Sequence, residues 1–250
     1  MERPVTFKLD PVRFYYCKVT LAVYAAWGIA FLSIGTITTY LPKVNLALFI
    51  DGQIPLLSKF VWLYMLTYLI PITLVGFCND WHLYNRTILS FIFASCIAFF
   101  SYLMIPVEVP LHYLSGEFSA RILEANYKLD SMTRANNFPS LHVAATWIFF
   151  LCFNENFRGL LLRIVFLILT TTISLSTLLV KQHLIVDALA GLVLAFLSWF
   201  LVKRMYAKTK TGESIPPKKL KSILYKNIRY FCWSAAATSI IFLLRWSIFH

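Results

Sequence analysis

Residues 176–202 read STLLVKQHLIVDALAGLVLAFLSWFLV. The nineteen residues 184–202 contain one ionisable side chain, Asp187. At about 1.5 Å per residue such a run is close to the ~30 Å of a bilayer's hydrocarbon core. Lipid supplies no partner for open backbone groups, so a single run of this kind must be helical. Six comparable runs lie outward from it, at about 19–41, 60–78, 88–107, 138–153, 159–180 and 230–248. The run at 138–153 is the shortest.

Composition agrees with this pattern. Apolar residues make up 59 % of the 250 and charged ones 14 %, with 22 Phe, 13 Tyr and 7 Trp. A water-facing domain carries roughly 45–50 % apolar and about 25 % charged residues. Disorder, coiled coils, disulfide scaffolds and most soluble enzymes are thereby excluded. The expected fold is all-α, a polytopic membrane helix bundle, in one integral membrane domain over 1–250. Its core covers about 19–202, followed by a basic loop at 203–229 and an extra span at 230–248. The first run follows polar and basic residues without a small-residue cleavage site, so it is expected to be an anchor rather than a removed signal. The five cysteines show no paired spacing and read as small buried hydrophobes.

A net charge of +12 would suggest nucleic acid in a soluble chain. Here the charges sit between the runs. Sixteen of the 23 Lys and Arg fall on one side: four before the first run, nine in 203–229, and Arg86, Arg158 and Arg163. The positive-inside rule makes that side cytoplasmic, with the N-terminus on it and the C-terminus outside. The expected surroundings are a bilayer (the plasma or inner membrane in a bacterium), with no nucleic acid and no obligatory protein partner. Outside, Leu111, Leu114, Phe118 and Ile122 share a helical spacing that predicts an interfacial amphipathic helix.

An intramembrane carboxylate marks a functional site by default, and Asp187 has His183 four residues before it on the same face. A second constellation opens the fourth run: Asn136-Asn137-Phe138-Pro139-Ser140-Leu141-His142. A proline in the first turn and a capping Asn would leave helix amides and the Ser140 hydroxyl facing an anion. The charge count places His142, His183, Asp187, Ser140 and Lys181 together at the outer side. His82, His112 and His250 fall in loops or at the terminus and receive no role.

Pro139-Ser140-Leu141-His142, followed by Ser176-x6-His183-x3-Asp187 and Ala188-Leu189-Ala190-Gly191, resembles the type 2 phosphatidic acid phosphatase superfamily, the lipid phosphate phosphatases. The resemblance implies a six-helix core, spans one to six, to which the seventh is an addition. It implies a metal-independent phosphoric monoester hydrolase with no cofactor, acting on a lipid phosphate or pyrophosphate at the extracytoplasmic side. His183 would be the nucleophile forming a phosphohistidine, Asp187 would orient it, and His142 would act as general acid and base. Ser140 and Lys181, with Arg134 and Ser176, would hold the phosphate. Two departures stand out. The family's K-x6-R-P motif is absent, since Lys128 and Arg134 are one residue too close and no proline follows. Thr177 occupies the usual arginine position, leaving Lys181 as the substitute cation. A phosphotransferase of the same fold, like the inositol phosphorylceramide or sphingomyelin synthases, stays open as a second reading. A lipid transporter is a third, although transporter sites lie near the midplane between paired repeats and none is visible here. A catalytically inactive relative is a fourth.

Overall fold

The computed structural model describes residues 11–208, apart from 79, 111 and 113–115. The described residues form seven α-helices: α1 Pro11–Thr38, α2 Val61–Phe77, α3 Trp81–Met104, α4 Phe118–Leu129, α5 Leu141–Asn156, α6 Leu160–Leu179 and α7 Ile185–Lys208. No strand occurs among the described residues; two isolated bridges tie Val44 to Val107 and Val107 to Asn136. α1, α2, α3, α6 and α7 are long and apolar enough to cross a membrane. The protein is a multi-pass helical bundle. α5, at 16 residues, rises about 24 Å, short of a hydrocarbon core. The span expected at 230–248 and the loop at 203–229, beyond Lys208, lie outside the described residues.

The short helix is the central one. α5 packs against α2, α3, α6 and α7, and its Ala144, Ile148 and Cys152 are completely buried. The outer helices reverse the usual pattern. On α6, Leu161, Ile164, Val165, Ile168 and Leu175 point outward, and on α7 so do Leu189, Val193, Leu197 and Phe200. An apolar face at helical spacing on the outside of a bundle suits lipid and not water.

Several boundaries differ from those expected. α1 is already helical at Pro11, eight residues before the apolar run, and Arg13 in that stretch reaches the carbonyls of Val75 and Gly76 at the end of α2. α3 begins at Trp81, capped by the Asp80 carboxylate on the amides of His82 and Leu83, so His82 is helical and bonds Tyr206 Oη at 2.9 Å. The amphipathic helix forms with a different buried face. α4 starts at Phe118, after Gly116 at a φ of 115°, and buries Ala120, Leu123, Asn126 and Tyr127 rather than Phe118, which is 67 % exposed. Leu111 and Leu114 lie outside the described residues. α4 packs on Val61, Tyr64 and Val180, so it closes over the ends of α2 and α6. Among the described cysteines, Cys78 and Cys152 are buried and Cys17 and Cys96 half-buried, all as free thiols.

Candidate active site

The start of α5 is built differently from its sequence expectation. Pro139 precedes the helix in a cis peptide, and Ser140 is the N-cap, its hydroxyl accepting from Val143 N–H at 3.3 Å. The asparagines cap nothing. Asn136 bonds Thr38 and the Phe31 carbonyl, while Asn137 donates to the Val107 and Arg134 carbonyls, tying the loop to α1 and to the segment that follows α3. Ser140 N–H donates to the Asp187 carbonyl at 3.0 Å, locking the start of α5 to the first turn of α7. Gly191 permits that approach. A Cβ there would stand 2.3 Å from the Ser140 carbonyl oxygen, which explains glycine one turn beyond Asp187.

The link between α6 and α7 is equally specific. α6 ends in a Schellman arrangement, with Gln182 N–H on the Thr177 carbonyl at 3.0 Å and Lys181 N–H on Leu178 at 3.1 Å. The left-handed position, usually glycine, is Lys181 at a φ of 52°. Its ammonium donates to the Asp51 carbonyl at 2.7 Å. The Asp51 carboxylate in turn accepts the first free amide of α7, Ile185 N–H, at 2.9 Å. Asp51, which no sequence pattern singled out, thus holds both the lysine and the helix that follows.

These two constructions bring the histidines together. His142 Nδ1 and His183 Nε2 are 3.2 Å apart. His183 Nδ1 lies 3.7 Å from Asp187 Oδ2, which accepts Leu184 N–H at 2.9 Å, while Asp187 Oδ1 and His183 Nδ1 have no hydrogen-bond partner among the described residues. On the far side, His142 Nε2 meets Tyr64 Oη at 3.0 Å and Tyr68 Oη at 3.1 Å. The two tyrosines are one turn apart on α2, two hydroxyls at i, i+4 spacing in an apolar run, which was the available signal.

A cavity of about 70 Å³ opens beside the pair. At roughly 10–15 Å³ per water that is room for about five waters or one phosphoryl group. Its polar wall includes His142, His183, Lys181, Gln182, Asp130 and Arg134. Arg134 Nη1 is 3.7 Å from Glu108, and Arg134 Nε is buried without a partner. Ser140 and Ser176 do not line it: both are fully buried, and the Ser176 hydroxyl donates to the Ile173 carbonyl. Thr177 is likewise buried, its hydroxyl on the Ser174 carbonyl. The other wall is apolar and aromatic, with Tyr24, Trp27 and Phe31 of α1, Pro71 of α2 and Phe91 of α3. A greasy chamber opening from a polar pocket fits a lipid with a charged head.

The family model of the PAP2 superfamily matches residues 43–201, well over half of the chain. The chain belongs to the PAP2 superfamily. It is therefore a lipid enzyme of the phosphatase or phosphotransferase type. No curated protein and no solved structure matches it. The match to the PAP2 pattern covers α2 to most of α7, and the aromatic wall of α1 lies outside it.

Proposed function

We propose that the protein is a lipid phosphatase that removes phosphate from a lipid phosphate or pyrophosphate through a phosphohistidine on His183. The observation that carries this reading is the pair His142 Nδ1 and His183 Nε2, turned toward each other at 3.2 Å on the wall of a cavity with one polar and one apolar side. A neutral imidazole is a competent nucleophile near neutral pH. His183 Nε2 attacks phosphorus as the bond to the lipid oxygen breaks. The departing alkoxide takes the proton from His142 Nδ1, whose Nε2–H is held by the Tyr64 and Tyr68 hydroxyls. Neutral His142 then takes a proton from water, which attacks phosphorus and releases His183.

Asp187 serves the first step. Its Oδ1 is buried and unpaired, so it is an acceptor waiting for His183 Nδ1–H as positive charge develops on the ring. Hydrogen bonds of this kind are often long before substrate arrives and tighten in the complex. Lys181 and Arg134 offset the charge on the equatorial oxygens. Ser140 and Ser176 act on the frame in this scheme, by joining α5 to α7 and by shaping the end of α6.

The arrangement calls for an extracytoplasmic site if the positive-inside count is followed. Arg86, Glu155 and Lys203 cluster at the opposite end of the bundle, which supports that orientation. The test is phosphate release from a panel of lipid phosphates, with and without a chelator. Release from at least one substrate, unaffected by chelator, is the expected result. Transfer of phosphate or head group only to an added alcohol would favour the phosphotransferase instead.

A further inference from the structure

The polar wall of the cavity contains a carboxylate that the reaction does not use. Asp130 sits just beyond α4, on the loop leading to α5, and faces the same cavity as the two histidines. Both of its hydrogen bonds fall on Oδ2, from Asn126 Nδ2 at 2.8 Å and Gln182 Nε2 at 3.1 Å. Both donors are neutral amides. No Lys or Arg among the described residues forms an ion pair with it, since Arg134 is turned to Glu108 and Lys181 to the Asp51 carbonyl. A carboxylate in a phosphate pocket repels the group the pocket is built for. Leaving it without a cation adds a desolvation cost to that repulsion.

Both costs vanish if the substrate brings the cation. We infer that Asp130 selects a lipid phosphate carrying an ammonium group beside its phosphate. The phosphate faces His183, Lys181 and Arg134, and the ammonium faces Asp130. Gln182, bonded to Asp130 and adjacent in sequence to His183, keeps the two subsites within one small cavity. The inference rests on the phosphate site proposed above.

The electrostatic surroundings of Asp130 sharpen the consequence. Burial pushes its carboxyl up to about 6, against the favourable pull of Gln182, His183 and Asn126. The groups facing it are Tyr64 and Tyr68 from α2, Asn126 from α4, and Gln182 and His183 from the link into α7; Arg134 and Lys181 share the cavity. A plain phosphate is tolerated while Asp130 is protonated and meets repulsion once it ionises. Binding of a plain phosphate therefore weakens as pH rises through about 6, relative to an ammonium-bearing one, which gains a partner over the same interval.

The experiment titrates purified full-length protein in detergent with two non-hydrolysable probes of equal chain length, an alkylphosphonate and its 2-amino counterpart, at pH 5 and pH 8. The expected result is at least a tenfold preference for the amino compound at pH 8 that shrinks toward parity at pH 5. In Asp130→Asn the preference at pH 8 collapses and the plain phosphonate binds more tightly than to wild type. An equal preference ratio at both pH values in wild type, or an unchanged ratio in a folded Asp130→Asn, overturns the inference. The pH comparison needs no variant, so a misfolded Asp130→Asn does not remove the test. Turnover of the matching phosphates, with His183→Ala as control, reports separately on the phosphatase reading.

Discussion

The two ends of the bundle use the same kinds of residue in opposite ways. At the end where α3 begins, Arg86 pairs with Glu155, Glu155 also pairs with Lys203 at 3.0 Å, and the Arg86 guanidinium lies 4.5 Å from the Trp199 ring centre. Arg86 Nε lacks a partner, yet every charge in that cluster meets an opposite one. At the other end Asp187 Oδ1, His183 Nδ1 and Arg134 Nε are buried without partners and Asp130 without a cation among the described residues, and Lys181 holds a left-handed backbone. Each unpaired buried group costs about 1–3 kcal/mol. A fold that pairs its charges at one end and leaves ionisable groups unpaired at the other keeps those groups for something that arrives later. Strain and unpaired charge mark the site, and paired charge marks the frame.

Mutations at the two ends should therefore have different signatures. The largest effect is expected for His183→Ala, which should lower kcat by at least about 10³-fold while the thermal midpoint stays near wild type. His142→Ala should be nearly as damaging with alkyl phosphates and much less so with activated aryl phosphates, whose leaving groups need no proton.

Gly191→Ala probes the junction between the frame and the site. The added methyl would stand against the Ser140 carbonyl, and overpacking of this kind costs roughly 1–3 kcal/mol. Stability and turnover should fall together, because His142 and Asp187 are positioned by the same contact. Loss of only one of the two would show that the junction does not carry both.

Lys181→Ala should remove about 2–4 kcal/mol of transition-state stabilisation, read as a fall in kcat/KM, with partial recovery in Lys181→Arg. Lys181→Gly separates the two roles of that residue. It relieves the left-handed backbone, so it should be at least as stable as the alanine variant and equally inactive. The smallest catalytic effect belongs to the paired end. Glu155→Gln should cost about 1 kcal/mol of stability, since the pair is part-exposed, and leave the turnover of folded protein unchanged.

The helices were legible because lipid imposes long apolar runs, and the positions of His142, His183 and Asp187 followed from motif spacing. Helix starts were less so. The first turns of α1 and α3 carry polar residues, Arg13 and Arg86 with partners on other helices and Asp80 as the cap of α3, so local hydropathy placed the boundaries too late. The remaining parts of the pocket depend on contacts distant in sequence. Asp51 caps a helix 134 residues away, and Tyr64 reaches His142 across 78. Asp130 carries no signal in the sequence, because it lies outside every apolar run. Its role comes from the α4 turn folding back over Gln182. Ser140 was legible as a conspicuous residue and not as a cap, because α5 starts at Leu141, two residues past the proline.

The central claim is that the unsatisfied end holds a nucleophile, and trapping the intermediate tests it most directly. Wild-type protein is mixed with a ³²P-labelled lipid phosphate, quenched within the first turnovers and digested under alkaline conditions that preserve a phosphoramidate. The expected result is acid-labile, alkali-stable label on the peptide containing His183, absent in His183→Ala and longer-lived in His142→Ala. Label on Ser140 or another hydroxyl, or brisk turnover by folded His183→Ala, would contradict it.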